Sequence, residues 1–246
     1  MKLNCDMGES FGLWQLGMDE AVMPHIDMAN IACGFHASDP LIMQQTVAQA
    51  KHYNVAVGAH PSYPDLVGFG RRHMHCTANE IQAFILYQVG ALAAFCNQQH
   101  IPLSYVKPHG ALYNDMMQDE AILIAILKGV AASGPDLPLM LMSQADNSRS
   151  ETLAAKFNVP LLFEAFADRC YTDNGLLQPR NLPGAVFTEH SQIINQAIQL
   201  AQNGNVTSNN GNLIKLKVDT LCVHGDNVQS IEAIAQIKLA LTTSKE

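Results

Sequence analysis

Seven short stretches of the chain carry the apolar runs and alternations of buried strands: KLNCDM, ANIACGF, NVAVGA, LSYVKP, LPLMLMS, PLLFEAF and DTLCVHG. Between most of them apolar residues recur at helical spacing, and this alternation predicts a parallel sheet buried under helices. The helix starts are chemically marked. Asp39 offers an N-cap oxygen ahead of Pro40, with Met43, Val47 and Ala50 following turn by turn. Thr77 and Glu80 form a capping-box pair before the apolar face of Ile81, Phe84, Ile85, Leu92, Phe95 and Cys96. Ile194, Ala197, Ile198 and Ala201 mark a further helix, and Ile231, Ile234 and Ala235 the last. The stretch NVTSNNGNLIKLKV breaks the rhythm and predicts a β-hairpin insertion near 205–218, turning at Asn210-Gly211. No Pro/Gly/Ser-rich linker divides the chain, so residues 1–246 are expected to form one domain.

One pattern raises a packing question. In VAVGAHPS, Val55, Val57 and Ala59 make one strand face branched and apolar, while Ala56 and Gly58 leave the other nearly empty up to His60. Ala32, Gly34 and His36 repeat the arrangement. The expectation is a hollow beneath two histidines that admits a small ligand.

Alternating β/α chains close into barrels or stay open, and both forms place their chemistry at the C-terminal ends of the strands. The open nucleotide-binding form is disfavoured, because neither G-x-G-x-x-G after the first strand nor G-x-x-x-x-G-K-[ST] occurs. The strand ends are rich in functional groups. Asn4 and Asp6 share a face of the first strand, and Glu9 follows in the turn. His36 and His60 close the second and third strands, Tyr105, Lys107 and His109 share a parity, EAFADRCY brings Glu164, Asp168 and Arg169, and LCVHGD brings His224 and Asp226. Any one of these has a plain structural explanation: a histidine bonded to a carbonyl, Asp6 capping a turn, Arg169 paired with Asp168. Their coincidence on one rim points to hydrolytic chemistry on a small polar substrate. Asp6, His36 and His60 could hold a divalent metal, or the imidazoles could act as general acid and base while Lys107 neutralises a substrate carboxylate or developing oxyanion. His73 and His75 have ligand spacing too, but they fall in a loop and are taken as adventitious.

Composition narrows the partners. With 48% hydrophobic residues and a mean hydropathy of +0.04, the chain has the profile of a soluble globular protein. No apolar run approaches the ~18 residues of a membrane helix, and MKLNCDMGES lacks a secretory-signal layout, so a cytoplasmic location without membrane attachment is expected. Fourteen Lys and Arg against 22 Asp and Glu give a net charge of −8 with no basic stripe, which argues against nucleic acid. The six cysteines are scattered without a C-x-x-C pair, as reduced thiols would be, and Cys5, Cys33 and Cys222 are expected as small buried hydrophobes.

Six ordered motifs, LNCDMGESFG, ANIACGFHASDP, GAHPSYPDLVGFGRR, YVKPHGALYN, EAFADRCY and CVHGD, together resemble the bacterial 5-oxoprolinase A-subunit family, also called the LamB/YcsF or lactam-utilisation family. Ser38 is a departure, standing where FHAGDP would have glycine. The resemblance implies an irregular seven-stranded β/α barrel of the glycoside hydrolase/deacetylase type, in agreement with the seven strand-like stretches. It also implies ATP-dependent opening of the 5-oxoproline lactam to L-glutamate, with partner subunits B and C. The motif residues carried over are Asn4, Asp6, Glu9, His36, His60, Lys107, His109, Asp168, Arg169, His224 and Asp226. Of these, Asp6, His36, His60, Lys107, His109 and His224 are expected to be catalytic. Asn4, Glu9, Asp168, Arg169 and Asp226 are expected to bind substrate. ATP would be a co-substrate handled with the partners, since the chain has no loop to hold a triphosphate, and a divalent metal is left open. Two alternatives stand beside this expectation: a stand-alone metal-dependent amide or ester hydrolase of the deacetylase type, and a non-catalytic lactam-binding subunit.

Overall fold

The computed structural model describes residues 1–223 and 228–243. In chain order the elements are β1 (Lys2–Met7), α1 (Asp19–Val22) continued by a 3-10 turn over Met23–His25, β2 (Met28–Ala32), α2 (Pro40–His52), β3 (Ala56–His60), α3 (Ala78–Gln98), β4 (Leu103–Val106), α4 (Gly110–Gln118), α5 (Glu120–Ser133), β5 (Leu139–Met142), α6 (Ser148–Ala155), β6 (Leu161–Phe166), α7 (His190–Asn203), β7 (Asn205–Thr207), β8 (Leu213–Lys215), β9 (Thr220–Cys222) and α8 (Val228–Thr243). Strands β1 to β6 and β9 close a seven-stranded parallel barrel, β9 pairing with both β6 and β1. The seven-stranded barrel implied by the family resemblance is therefore present, and each of the seven strand-like stretches contributes one stave. β7 and β8 form a separate antiparallel hairpin turning over 208–212.

The helix starts follow their capping residues. Asp39 Oδ1 accepts from the backbone N–H groups of Leu41 (2.8 Å) and Ile42 (3.1 Å) at the head of α2. Thr77 and Glu80 exchange the two bonds of a capping box before α3, 3.3 Å and 2.7 Å. Alternation then sorts the strand residues. Leu3, Ile31, Val57, Val106, Leu141, Phe163 and Leu221 are fully or almost fully buried in the layer between barrel and helices. There each branched side chain contributes on the order of 1.5–3 kcal/mol of burial. No helix among the described residues is long and apolar enough to cross a membrane.

The barrel interior answers the packing question differently from the sequence expectation. The space left by Gly58 is not a ligand hollow, because the Tyr105 ring fills it. A Cβ at position 58 would lie 2.1 Å from Tyr105 Cε2. Met28, Tyr105 and Met140, with Ala56 and Leu162 against them, plug the lower interior with apolar bulk. A second correction concerns β2, which ends at Ala32 rather than running to Phe35. A turn from Gly34 N to Ala37 O (2.9 Å) takes over, so His36 is held by a loop and not by a strand face. Ser38 in that loop has φ 72°, a left-handed conformation that explains why glycine suits the position.

Candidate active site

Above the apolar plug the interior positions turn polar. Tyr105 donates its hydroxyl to Asn30 Oδ1 (2.7 Å), and Asn30 Nδ2 donates to Asn4 Oδ1 and Asp6 Oδ1, both at 2.8 Å. Asn4 Nδ2 donates in turn to Thr220 Oγ1 (3.1 Å) and Glu164 Oε2 (3.4 Å). Lys107 Nζ stands over this layer, 3.0 Å from Glu164 Oε2, 3.2 Å from Asp6 Oδ1, 3.2 Å from Asn4 Oδ1 and 3.4 Å from Cys222 Sγ. Burial alone would push the ammonium down, but Asp6, Cys222 and Glu164 outweigh it and hold its pKa well above the ordinary lysine value. Lys107 is thus a fixed cation between two carboxylates. Burial pushes the Cys5 and Cys222 thiols well up, so neither is a ready thiolate nucleophile. Cys222 also departs from the expected hydrophobic role, since it faces the barrel interior and accepts from Lys107.

Three imidazoles crowd the next layer. His36 and His109 stack with centroids 3.8 Å apart and planes 2° from parallel, and His60 meets His109 edge-on at 4.8 Å. Gly70 makes this possible: a Cβ there would lie 2.8 Å from His36 Cβ and 2.9 Å from His109 Cδ2. His60 Nδ1 lies 2.6 Å from the Lys107 carbonyl and His109 Nε2 lies 2.9 Å from that of Phe69. Carbonyls only accept, so both nitrogens carry hydrogen. The remaining pair, His60 Nε2 and His109 Nδ1, face each other at 3.0 Å. Two lone pairs do not approach so closely unless a proton or a cation lies between them. Burial, and then the neighbouring His60, push His109 down to about 3, which makes it the neutral, accepting member of the pair. Burial and the adjacent imidazoles also hold His36 well below the usual histidine value.

Carboxylates adjoin the imidazoles. Asp6 Oδ1 is 3.4 Å from His60 Nε2, and Glu9 Oε1 is 3.5 Å from His36 Nε2 and 3.8 Å from His109 Nδ1. Glu9, His36, His60 and His109 offer ligand atoms that all lie within 4.8 Å of one another. This donor set suits a divalent transition ion, and the carbonyl bonds behind His60 and His109 are the outer contacts that orient such ligands. The carboxylate in the set is Glu9 rather than the Asp6 expected from sequence, because Asp6 is engaged by Asn30 and Lys107.

A cavity of about 560 Å³ opens onto these groups at the C-terminal ends of the strands. Asp6, Glu9, His60, Lys107, His109 and Arg169 line it, six of the residues singled out from sequence. Asn4 and His36 lie behind the wall, fully or almost fully buried, and Asp168 is not among the lining residues. His224 and Asp226 lie outside the described residues. Arg169 does not pair with Asp168; its Nε and Nη2 donate to the carbonyls of Ala185 (3.2 Å) and Gln178 (2.8 Å). Sequence reasoning passed over Asn30 and Thr220, whose polar side chains on barrel strands were the available signal, and Arg71 and Arg180, which loops bring to the cavity.

A closed parallel β/α barrel with carboxylates, imidazoles and a buried lysine gathered around a cavity at the C-terminal ends of its strands defines the class: a β/α barrel with a polar, ionisable cavity at the end where this fold carries its sites. Residues 1–246 match the model of the LamB/YcsF family, and the chain belongs to it. It is 56% identical to the 5-oxoprolinase A subunit of Vibrio vulnificus (strain YJ016) over 97% of this chain and 96% of that one. It is 53% identical to the 5-oxoprolinase A subunit 2 of Pseudomonas putida over 97% of this chain and 93% of that one. The crystal structure of the lactam utilization protein from Thermus thermophilus superposes with a TM-score of 0.93 at 38% identity, covering 100% of this chain and 97% of that one.

Proposed function

We propose that this chain is the lactam-binding and ring-opening component of an ATP-dependent 5-oxoprolinase, converting 5-oxoproline to L-glutamate together with partner subunits B and C. The observation that carries the reading is the facing pair His60–His109, set between Asp6 and Glu9 on the wall of a cavity large enough for the lactam. The names of the relatives support the same substrate and an enzyme of several subunits.

Ring opening needs a water deprotonated as it attacks the carbonyl carbon, and a proton delivered to the nitrogen as the C–N bond breaks. The proton shared by His60 Nε2 and His109 Nδ1 goes to the leaving nitrogen, and the Asp6 carboxylate, 3.4 Å from His60 Nε2, takes the proton of the attacking water and returns it to the pair without rearranging the outer carbonyl bonds. Lys107, already balanced by Asp6 and Glu164, holds Asp6 in place at the cavity floor. Arg169 is the cation better placed for the substrate carboxylate: its backbone is fixed by Gln196 Nε2, which donates to the Arg169 carbonyl at 2.7 Å, and its side chain lines the cavity. An unactivated five-membered lactam resists hydrolysis, and ATP coupling through the partners would supply the missing electrophilicity. The test is glutamate formation from 5-oxoproline and ATP by the purified chain with and without subunits B and C; no glutamate with all three present would refute the reading.

A second reading, favoured by the donor set of Glu9, His36, His60 and His109, is a metal-dependent hydrolase acting alone. It predicts a stoichiometric bound metal and an ATP-independent activity abolished by chelator.

A further inference from the structure

The β1–α1 loop carries the sequence FGLWQLGM over residues 11–18, and most of its large apolar side chains face solvent. Leu13 is 100% exposed and Trp14 74%, with Leu16 and Met18 exposed beside them. Monomeric proteins seldom gather such residues on one segment unless something covers them. The loop is not loose chain. Phe11 and Trp14 exchange both backbone bonds, at 3.0 and 2.9 Å, and their rings stack with centroids 6.2 Å apart. Ser10 Oγ accepts from Leu16 N (3.0 Å), and Ser38 N donates to Ser10 O (3.0 Å). Gly12 and Gly17, at φ 56° and 77°, supply the left-handed turns that shape this knuckle.

Asp39 ties the knuckle to the head of α2. Its Oδ2 accepts from Gly12 N and its Oδ1 from Leu41 N, both at 2.8 Å, which brings the exposed Leu41 beside the loop. The charge of the surrounding chain has one sign. Between Lys2 and Lys51 there is no lysine or arginine, against six acids: Asp6, Glu9, Asp19, Glu20, Asp27 and Asp39. Glu9, two residues before Phe11, lines the candidate active-site cavity, so the knuckle stands beside the cavity mouth.

We propose that the knuckle of residues 11–18, with Leu41, is the seat of a different protein chain, one that offers an apolar cleft bordered by basic side chains. This rests on the reading above of an enzyme of several subunits, and the occupant is a partner subunit of that enzyme. A second copy of this chain fits poorly. It carries the same acidic surround, and most residues lining its cavities of about 700 and 560 Å³ are polar, so those cavities give Leu13 and Trp14 no apolar cleft. A loop already fixed by its own hydrogen bonds and ring stack loses little freedom on docking, and a tryptophan so held is the kind of residue that carries most of an interface's energy.

Calorimetric titration of the full chain with purified subunits B and C, singly and mixed, tests this, with 5-oxoproline titrated alongside. Leu13→Ser and Trp14→Ser are each expected to weaken partner binding about tenfold or more. Leu213→Ser, at an exposed leucine of the β7–β8 hairpin, should leave it unchanged. Raising the salt should weaken the parent's binding about threefold or more; binding indifferent to salt overturns the basic border. Neither knuckle side chain lines the cavity, so melting temperature and 5-oxoproline affinity should match the parent in all three variants. Partner binding unchanged in both knuckle variants, or equally weakened in Leu213→Ser, overturns the seat and leaves the reading of several subunits standing. No binding of either subunit by the parent overturns both, while the 5-oxoproline titration reports separately on the lactam. Self-association of the chain in sedimentation velocity, lost in the two knuckle variants, overturns the choice of occupant and gives the seat to a second copy.

Discussion

Gly58→Ala probes the packing on which the polar layer stands. The added Cβ would lie 2.1 Å from Cε2, 2.2 Å from Cζ and 2.5 Å from Cδ2 of Tyr105. Unstrained carbon contacts are about 3.5–4.0 Å, so the ring would have to retreat by more than about 1 Å. It has nowhere to go: Tyr105 is fully buried against Met28 and Met140, and its hydroxyl is tied to Asn30 at 2.7 Å. Overpacking of this kind costs about 1–3 kcal/mol, and pulling the hydroxyl from the buried Asn30 oxygen costs about 1–3 kcal/mol more. The sum, about 2–6 kcal/mol, corresponds to a melting temperature lower by roughly 5–20 °C. Urea unfolding followed by circular dichroism measures it. Gly90→Ala is the control, because a Cβ at that position in α3 meets nothing within 4 Å and is expected to be neutral or stabilising by up to about 1 kcal/mol. Loss of less than about 1 kcal/mol in Gly58→Ala would refute the view that Gly58 exists to seat Tyr105.

Other outcomes follow from the same contacts. Ser38→Gly should stabilise the chain by about 0.5–1 kcal/mol in thermal melts, since Ser38 sits at φ 72°. Lys107→Met should cost about 3–5 kcal/mol in urea unfolding by leaving Asp6 and Glu164 without their shared cation, and adding Glu164→Gln should recover part of the loss. Burial keeps His36 well below the histidine range and, with His60, brings His109 down to about 3. The unfolded chain therefore binds more protons below about pH 6.5, so stability is complete above that pH and falls as pH drops, by up to about 1.4 kcal/mol per pH unit for each histidine. A melting temperature unchanged between pH 7 and pH 5 would contradict this.

The strands and helix caps were legible because each depends on local chemistry. Alternation marked the barrel staves, and Asp39, Thr77 and Glu80 satisfied the N–H groups that any helix start exposes. Asp6, His60, Lys107 and His109 were legible for a related reason, since residues at strand ends share one rim in a parallel barrel. What escaped was set by tertiary packing. Nothing local to VAVGAHPS says that a tyrosine from β4 will occupy the space over Gly58, so a filled interior looked like a hollow. Parity alone places His36 on a continued β2, but the turn at Gly34 breaks the strand, and the imidazole reaches His109 by stacking. Arg71 and Arg180 arrive on loops without periodicity, and only the closed barrel brings them to one cavity.

The central claim is that proton transfer by the His60–His109 pair in this barrel opens the lactam. The most direct measurement is glutamate released from 5-oxoproline and ATP by the chain assembled with subunits B and C, comparing the parent with His60→Ala, alongside calorimetry of 5-oxoproline binding to each. The account predicts a fall in glutamate release of about a hundredfold or more, with the lactam still bound. Full glutamate release by the His60→Ala assembly would contradict it and leave the barrel as a lactam-binding component whose partners perform the chemistry.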